Sequence, residues 1–243
     1  MNEPITLYVV PASHPCMAVM AGLDMKGLEF ERHDLMFGLS NVHQFVRFRA
    51  RTVPGITIGE RKIVGSRPIL RALDELVPEP SLRPADPALS AEVDKAEEWG
   101  DLVLQEHARW IVLTAARQAP EALESLTAGY KVPSIPSWVT KRMGAGADLE
   151  MRLLGYTGAQ VKNEWIPALP ATLDHVDDLI ARGVIGGHQP NVADLQIGSS
   201  VRLLLNVEDI RPGIEERPAG KLARRLFPDY PGHIPAGCIT SPF

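Results

Sequence analysis

Short apolar runs alternate with stretches of helical period over the first third of the chain. Ile5 to Val10 is a nearly continuous apolar run and suits a strand buried on both faces. Pro11 to Pro15 reads as a loop, and the pattern then predicts a helix from about Cys16 to Met25. Lys26-Gly27 closes it in the manner of a C-cap. Leu28 to Arg32 reads as a second strand, so the unit is β-α-β and its crossover implies parallel strands. Ser40 to Phe48 reads as helical, with Val42, Phe45 and Val46 on one side. Two β-branched runs follow, Gly55 to Ile58 and Lys62 to Val64, and Gly59-Glu60 between them signals a hairpin. Pro54 stands just before the first run, where it removes no ladder hydrogen bond. Ser66 then precedes Ile69, Leu70, Leu73 and Leu76, and is expected to be the N-cap of a helix.

The second part of the chain carries a different rhythm. Pro78, Pro80, Pro84 and Pro87 crowd the stretch from Val77 to Pro87, which reads as a semi-rigid linker. The expected division is therefore residues 1–77, a linker at 78–88, and residues 89–243. Beyond the linker the pattern predicts helices and no strand. Ala91 to Arg117 is a long amphipathic helix, and its Asp94, Glu97, Glu98 and Asp101 read as a solvated face. Tyr130 to Gly146 is rich in Pro, Gly and aromatics, and either lines a pocket or covers the core. Further helices are predicted over Asp148–Leu154 and Ala168–Ala181, with a turn from Gly183 to Pro190 and a short helix near Ala219 to Phe227. Asn191-Val192-Ala193-Asp194 opens a helix reaching about Leu205. Asn191 can cap Asp194 and the Asp194 carboxylate can return to Asn191, a reciprocal capping box.

Composition removes several classes of function. The net charge is −5, which argues against a general nucleic-acid surface. Hydrophobic residues are 45% and charged residues 23%, ordinary for a soluble globular chain. No apolar run reaches the roughly 20 residues of a membrane helix. The acidic Met-Asn-Glu-Pro start runs straight into a strand and does not read as a signal peptide. Cys16 and Cys238 make no disulfide framework, so a reducing cytoplasm is expected. No Cys/His cluster has metal spacing, so no metal is expected, and no phosphate-binding or dinucleotide glycine pattern is present.

The candidate chemistry lies in two places. Ser13-His14-Pro15-Cys16 occupies the turn from the first strand into the first helix. Ser66 opens a helix whose unpaired N–H groups favour an anion. Together with Val53-Pro54, the hairpin and the Ser66 helix, this order resembles the glutathione transferase superfamily. The resemblance implies an α/β thioredoxin-like domain followed by an all-α helical domain. It implies a cis Val53–Pro54 bond, with the Val53 main chain pairing with the cysteinyl part of glutathione or a related low-molecular-weight thiol. Ser66, with Arg67 beside it, would hold the γ-glutamyl carboxylate. Gly65 stands where the family usually has an acidic residue. Ser13 would be the catalytic residue, donating its hydroxyl to the thiol sulfur, because a donor favours the thiolate. His14, Trp110, Tyr130 and Trp138 would border a small hydrophobic electrophile, and a homodimer is implied. Two other readings stand beside this one. Cys16, at a helix start, would be the nucleophile of a thiol-disulfide oxidoreductase, or the chain would be a non-catalytic binding protein that has kept the fold.

Overall fold

The computed structural model describes residues 3–36, 39–119, 122–132 and 156–243. One mixed sheet has the strand order β2-β1-β3-β4, with β1 at Ile5–Val9, β2 at Glu31–Asp34, β3 at Gly55–Ile58 and β4 at Arg61–Val64. β1 runs parallel to β2 and antiparallel to β3, and β3 turns back on β4. The turn uses Gly59 at φ +55°, a backbone conformation that favours glycine. Helices α1 (His14–Met25), α2 (Ser40–Phe48) and α3 (Ser66–Leu76) complete the thioredoxin-like order. α1 and α3 pack together, and a Cβ at Gly22 would come within 2.5 Å of Leu70 Cδ2, so a larger residue there would displace the Leu70 side chain.

β2 lies a few residues later than the sequence predicts. Leu28 N–H donates to Leu23 C=O as the chain leaves α1, and pairing with β1 begins only at Glu31. β2 is an edge strand with largely exposed side chains, so no hydrophobic pattern marks it. α2 forms over Ser40–Phe48 as the pattern predicts. Its apolar side is turned outward: Val42 and Val46 are 63% and 70% exposed, and Leu39 and Phe45 are also exposed. The residues it buries are Ser40 and Gln44.

The rest of the described chain is helical. α4 (Pro87–Trp99) passes through a π-helical turn, Gly100–Leu104, into α5 (Gln105–Ala116), and α6 is Ala122–Leu126. A second π-helical turn, Val161–Trp165, leads into α7 (Ile166–Ala181), followed by α8 (Val192–Leu204) and α9 (Pro218–Leu226). The predicted helix over Asp148–Leu154 lies outside the described residues. α8 is the axle of the molecule. Every residue in it but Arg202 is buried, and α1, α4, α5 and α9 pack around it. Its start is the predicted capping box: Asn191 Oδ1 accepts from Ala193 and Asp194 N–H, and Asp194 accepts from Asn191 N–H at 2.9 Å. The other Asp194 oxygen accepts from Gly186 N–H at 2.7 Å. No described helix is long and apolar enough to cross a membrane.

Charge pairs join the two parts. The acidic stretch of α4 is only in part the solvated face that its composition suggests: Glu98 is exposed, but Glu97 is not. Glu97 is fully buried, 2.9 Å from Arg71 and 3.3 Å from Arg67. Burial pushes its carboxyl up, against the pull of Arg71 and Arg67. Asp94 pairs with Arg83, and Asp101 lies 3.9 Å from Arg67. Lys26, also buried, places its ammonium against Asp74 and the Val77 and Pro80 carbonyls, each at 2.6 Å. A buried charge is tolerable only when paired and hydrogen-bonded, and these partners supply that.

Candidate functional site

Ser13 closes the turn from β1 into α1. Its N–H donates to Val10 C=O at 3.1 Å and its carbonyl accepts from Met17 N–H. Ala12 just before it has φ +54°, a left-handed conformation uncommon for a residue with a side chain. The Tyr230 hydroxyl donates to the Ala12 carbonyl at 2.8 Å and braces that turn from the far end of the chain. Ser13 is half-buried, and its hydroxyl makes no capping hydrogen bond within α1.

The second wall is the segment before β3. The Val53–Pro54 peptide bond is cis, as the resemblance implies. Pro54 is buried and its carbonyl accepts from Gly65 N–H at 2.9 Å. The Val53 N–H and C=O take no hydrogen-bond partner among the described residues. Ser13, His14 and Val53 line one cleft of about 210 Å³, closed from the helical side by Arg109, Trp110, Val112 and Leu113. Four of the residues expected at the site, Ser13, His14, Val53 and Trp110, are thus brought together.

The others are placed differently. Ser66 is the first residue of α3 and not its cap; Gly65 takes that place at φ +91°, and Ser66 makes no capping hydrogen bond. That φ strains any residue with a Cβ, which accounts for the glycine where an acidic side chain was expected. Ser66 is buried and its hydroxyl donates to Gln196 Oε1 of α8 at 2.9 Å. Arg67 turns to Glu97 and Asp101. Neither Ser66 nor Arg67 lines the cleft. Tyr130 also stands apart from its lining: its hydroxyl lies 3.5 Å from Met17 Sδ, and Arg32 stacks 4.4 Å above its ring. Burial, with Cys16 nearby, pushes its phenol up to about 12. Trp138 lies outside the described residues.

Electrostatics separates the candidates of the Ser13 loop. Cys16 is fully buried, and burial pushes its thiol up to about 11 although Ser13, the Val10 main chain and Arg109 favour its thiolate. It is a packed core thiol. His14 is 2% exposed, and burial, then Arg109, holds its imidazole well below the usual histidine range. The ring is therefore neutral, and its Nε2 has no hydrogen-bond partner among the described residues.

Several of these contacts carry no local signal in the sequence. Tyr230 lies 218 residues from Ala12 and Gln196 lies 130 from Ser66. Arg109 and Glu106 sit on the predicted long helix, where their spacing reads as an ordinary surface ion pair. Among the described residues no group of three acidic, histidine or cysteine side chains is arranged to hold a metal ion.

Comparison with known proteins bears on the fold. Residues 7–81 match the model of the glutathione S-transferase N-terminal domain. A search of the curated proteins returned no significant match. Among solved structures, a glutathione S-transferase from Rhodospirillum rubrum F11 is 18% identical, covering 93% of this chain and 88% of its own, with a TM-score of 0.59. A glutathione transferase homologue from Sulfitobacter with bound glutathione is 14% identical, covering 93% of each chain, with a TM-score of 0.60. Glutathione transferase F2 from Populus trichocarpa is 15% identical, covering 93% of this chain and 94% of its own, with a TM-score of 0.63. The chain carries a glutathione S-transferase N-terminal domain and has, over most of its length, the fold of the glutathione transferases.

Proposed function

We propose that the cleft between Ser13 and Val53 binds glutathione, or a related low-molecular-weight thiol, and activates its sulfur for attack on a small hydrophobic electrophile. The observation that carries this is the Val53 main chain on the cleft wall, whose N–H and C=O take no hydrogen-bond partner among the described residues. Such a pair suits the amide of a cysteinyl residue, and leaving it bare costs hydrogen-bond energy. A homologue of this fold carries glutathione. Ser13 donates to the sulfur and favours the thiolate. The thiol proton leaves to solvent, a sulfur lone pair forms the new carbon–sulfur bond, and the leaving group departs with its bonding electrons. Trp110, Val112, Leu113, Leu126 and Leu203 offer the electrophile an apolar wall. The same reading divides the chain at the linker of residues 78–88 and includes a homodimer in a reducing compartment, with neither Cys16 nor Cys238 in a disulfide.

Titration with glutathione by calorimetry tests the reading, with Ser13→Ala beside the wild type. The variant is expected to bind glutathione almost as well, to raise the bound thiol's pKa and to lower turnover with an aryl halide. Equal turnover and an equal thiol pKa in the two proteins would make Ser13 a bystander. A second reading, a binding protein without catalysis, is favoured by one observation: the Ser66 hydroxyl, expected to hold a ligand carboxylate, is occupied by Gln196. Absence of glutathione binding by the wild type would leave that reading in place. The oxidoreductase reading loses its nucleophile with Cys16 in the core.

A further inference from the structure

The helical wall of the cleft contains a charge for which the thiol site as described has no use. Arg109 lines the cleft with its guanidinium partly exposed. One turn earlier in the helical path, Glu106 uses both oxygens. Oε1 accepts from Arg109 Nη1 at 2.8 Å and Oε2 accepts from Trp110 Nε1 at 3.0 Å. One carboxylate therefore fixes both the cation and the indole that face the Ser13 loop. Glu106 itself does not reach the cleft, and no Asp or Glu is among the lining residues. The cleft is apolar and electropositive, with Arg109 and Arg51 as its cations.

We propose that Arg109 is a second thiolate-stabilising residue, a positive charge supplied by the helical part of the chain opposite the Ser13 hydroxyl. This rests on the thiol-binding reading above. Its field reaches the right place. It disfavours the cation on His14 and favours the thiolate on Cys16, two residues of the same turn as Ser13. A single hydroxyl is a modest activator, and the Ser13 hydroxyl also lies against the Cys16 sulfur. A cation about 4–6 Å from an acid lowers its pKa by about 1–3 units. Pairing with Glu106 weakens that field, which places the expected effect at about one unit. The thiol site would then be complete only with both parts of the chain, since Ser13 and Val53 come from one and Arg109 from the other.

The test is an ultraviolet titration of the glutathione complex of the wild type, Arg109→Gln, Arg109→Lys and Glu106→Gln. Arg109→Gln is expected to raise the bound thiol's pKa by about one unit, and Arg109→Lys to restore most of it. With an uncharged aryl halide, the pH profile of kcat/KM should move by the same amount. Glu106→Gln keeps an acceptor for Trp110 and removes the charge that neutralises Arg109, so it should move the thiol pKa the other way. That variant decides the matter if Arg109→Gln folds poorly. An unchanged thiol pKa in all variants overturns the inference, as does a loss confined to affinity for anionic electrophiles, which would make Arg109 a substrate anchor. Failure of the wild type to bind glutathione is a separate result and overturns the thiol reading together with this one.

Discussion

Ser66→Ala is expected to lower stability and to leave glutathione affinity nearly unchanged. The hydroxyl lies in the interior and donates to Gln196 Oε1 at 2.9 Å, while Gln196 Nε2 donates to Gln105 Oε1 at 2.7 Å. Removing the Ser66 hydroxyl leaves a fully buried amide oxygen without a donor. An unsatisfied buried acceptor costs about 1–3 kcal/mol. For a chain of this size that is a fall of roughly 2–12 °C in Tm. Differential scanning calorimetry of the two proteins reads the loss, and isothermal titration with glutathione reads the affinity. A double-mutant cycle with Gln196→Met isolates the pair, with an expected coupling of about 1 kcal/mol. The reasoning is refuted if Ser66→Ala melts like the wild type and binds glutathione ten- to a hundredfold more weakly. That is about the loss of one hydrogen bond to a carboxylate, and it would mean that the hydroxyl leaves Gln196 to meet the ligand.

Asp194→Ala is expected to cost about 2–5 kcal/mol in urea unfolding, because the Asn191 and Gly186 N–H groups both lose their acceptor. Lost turnover at unchanged stability would assign Asp194 to the chemistry instead. Cys16 is expected to resist thiol reagents in the native protein at pH 8, where a thiol titrating near 11 is about one part in a thousand thiolate. Its folded pKa is raised above the unfolded value of about 8.5, so its contribution to stability is complete below about pH 8.5 and is lost as the pH rises toward about 11. Rapid native labelling of Cys16 at neutral pH, or an inactive Cys16→Ala, would restore the oxidoreductase reading.

Much of the fold was legible in the chain because its signals are local. β1, the hairpin around Gly59-Glu60 and α8 announce themselves through apolar spacing, a turn glycine and an Asn191–Asp194 box, each set by neighbours a few residues apart. Ser13 was legible for the same reason, as the residue between a buried strand and a helix start. Tertiary structure decided which side chain meets which. Helical period marks an apolar face on α2 but not the direction it points, and that face looks outward. Charge content marks an acidic stretch on α4, but only the arrival of Arg67 and Arg71 from α3 makes burial of Glu97 tolerable. The Ser66 hydroxyl could serve a ligand or a neighbour, and Gln196, 130 residues away, occupies it. The Ala12 turn is held by a tyrosine 218 residues downstream. Short-range pattern sets the elements because backbone geometry and apolar spacing act within a turn or two. The partner of a buried polar atom is set by packing between distant segments, and no spacing along the chain encodes it.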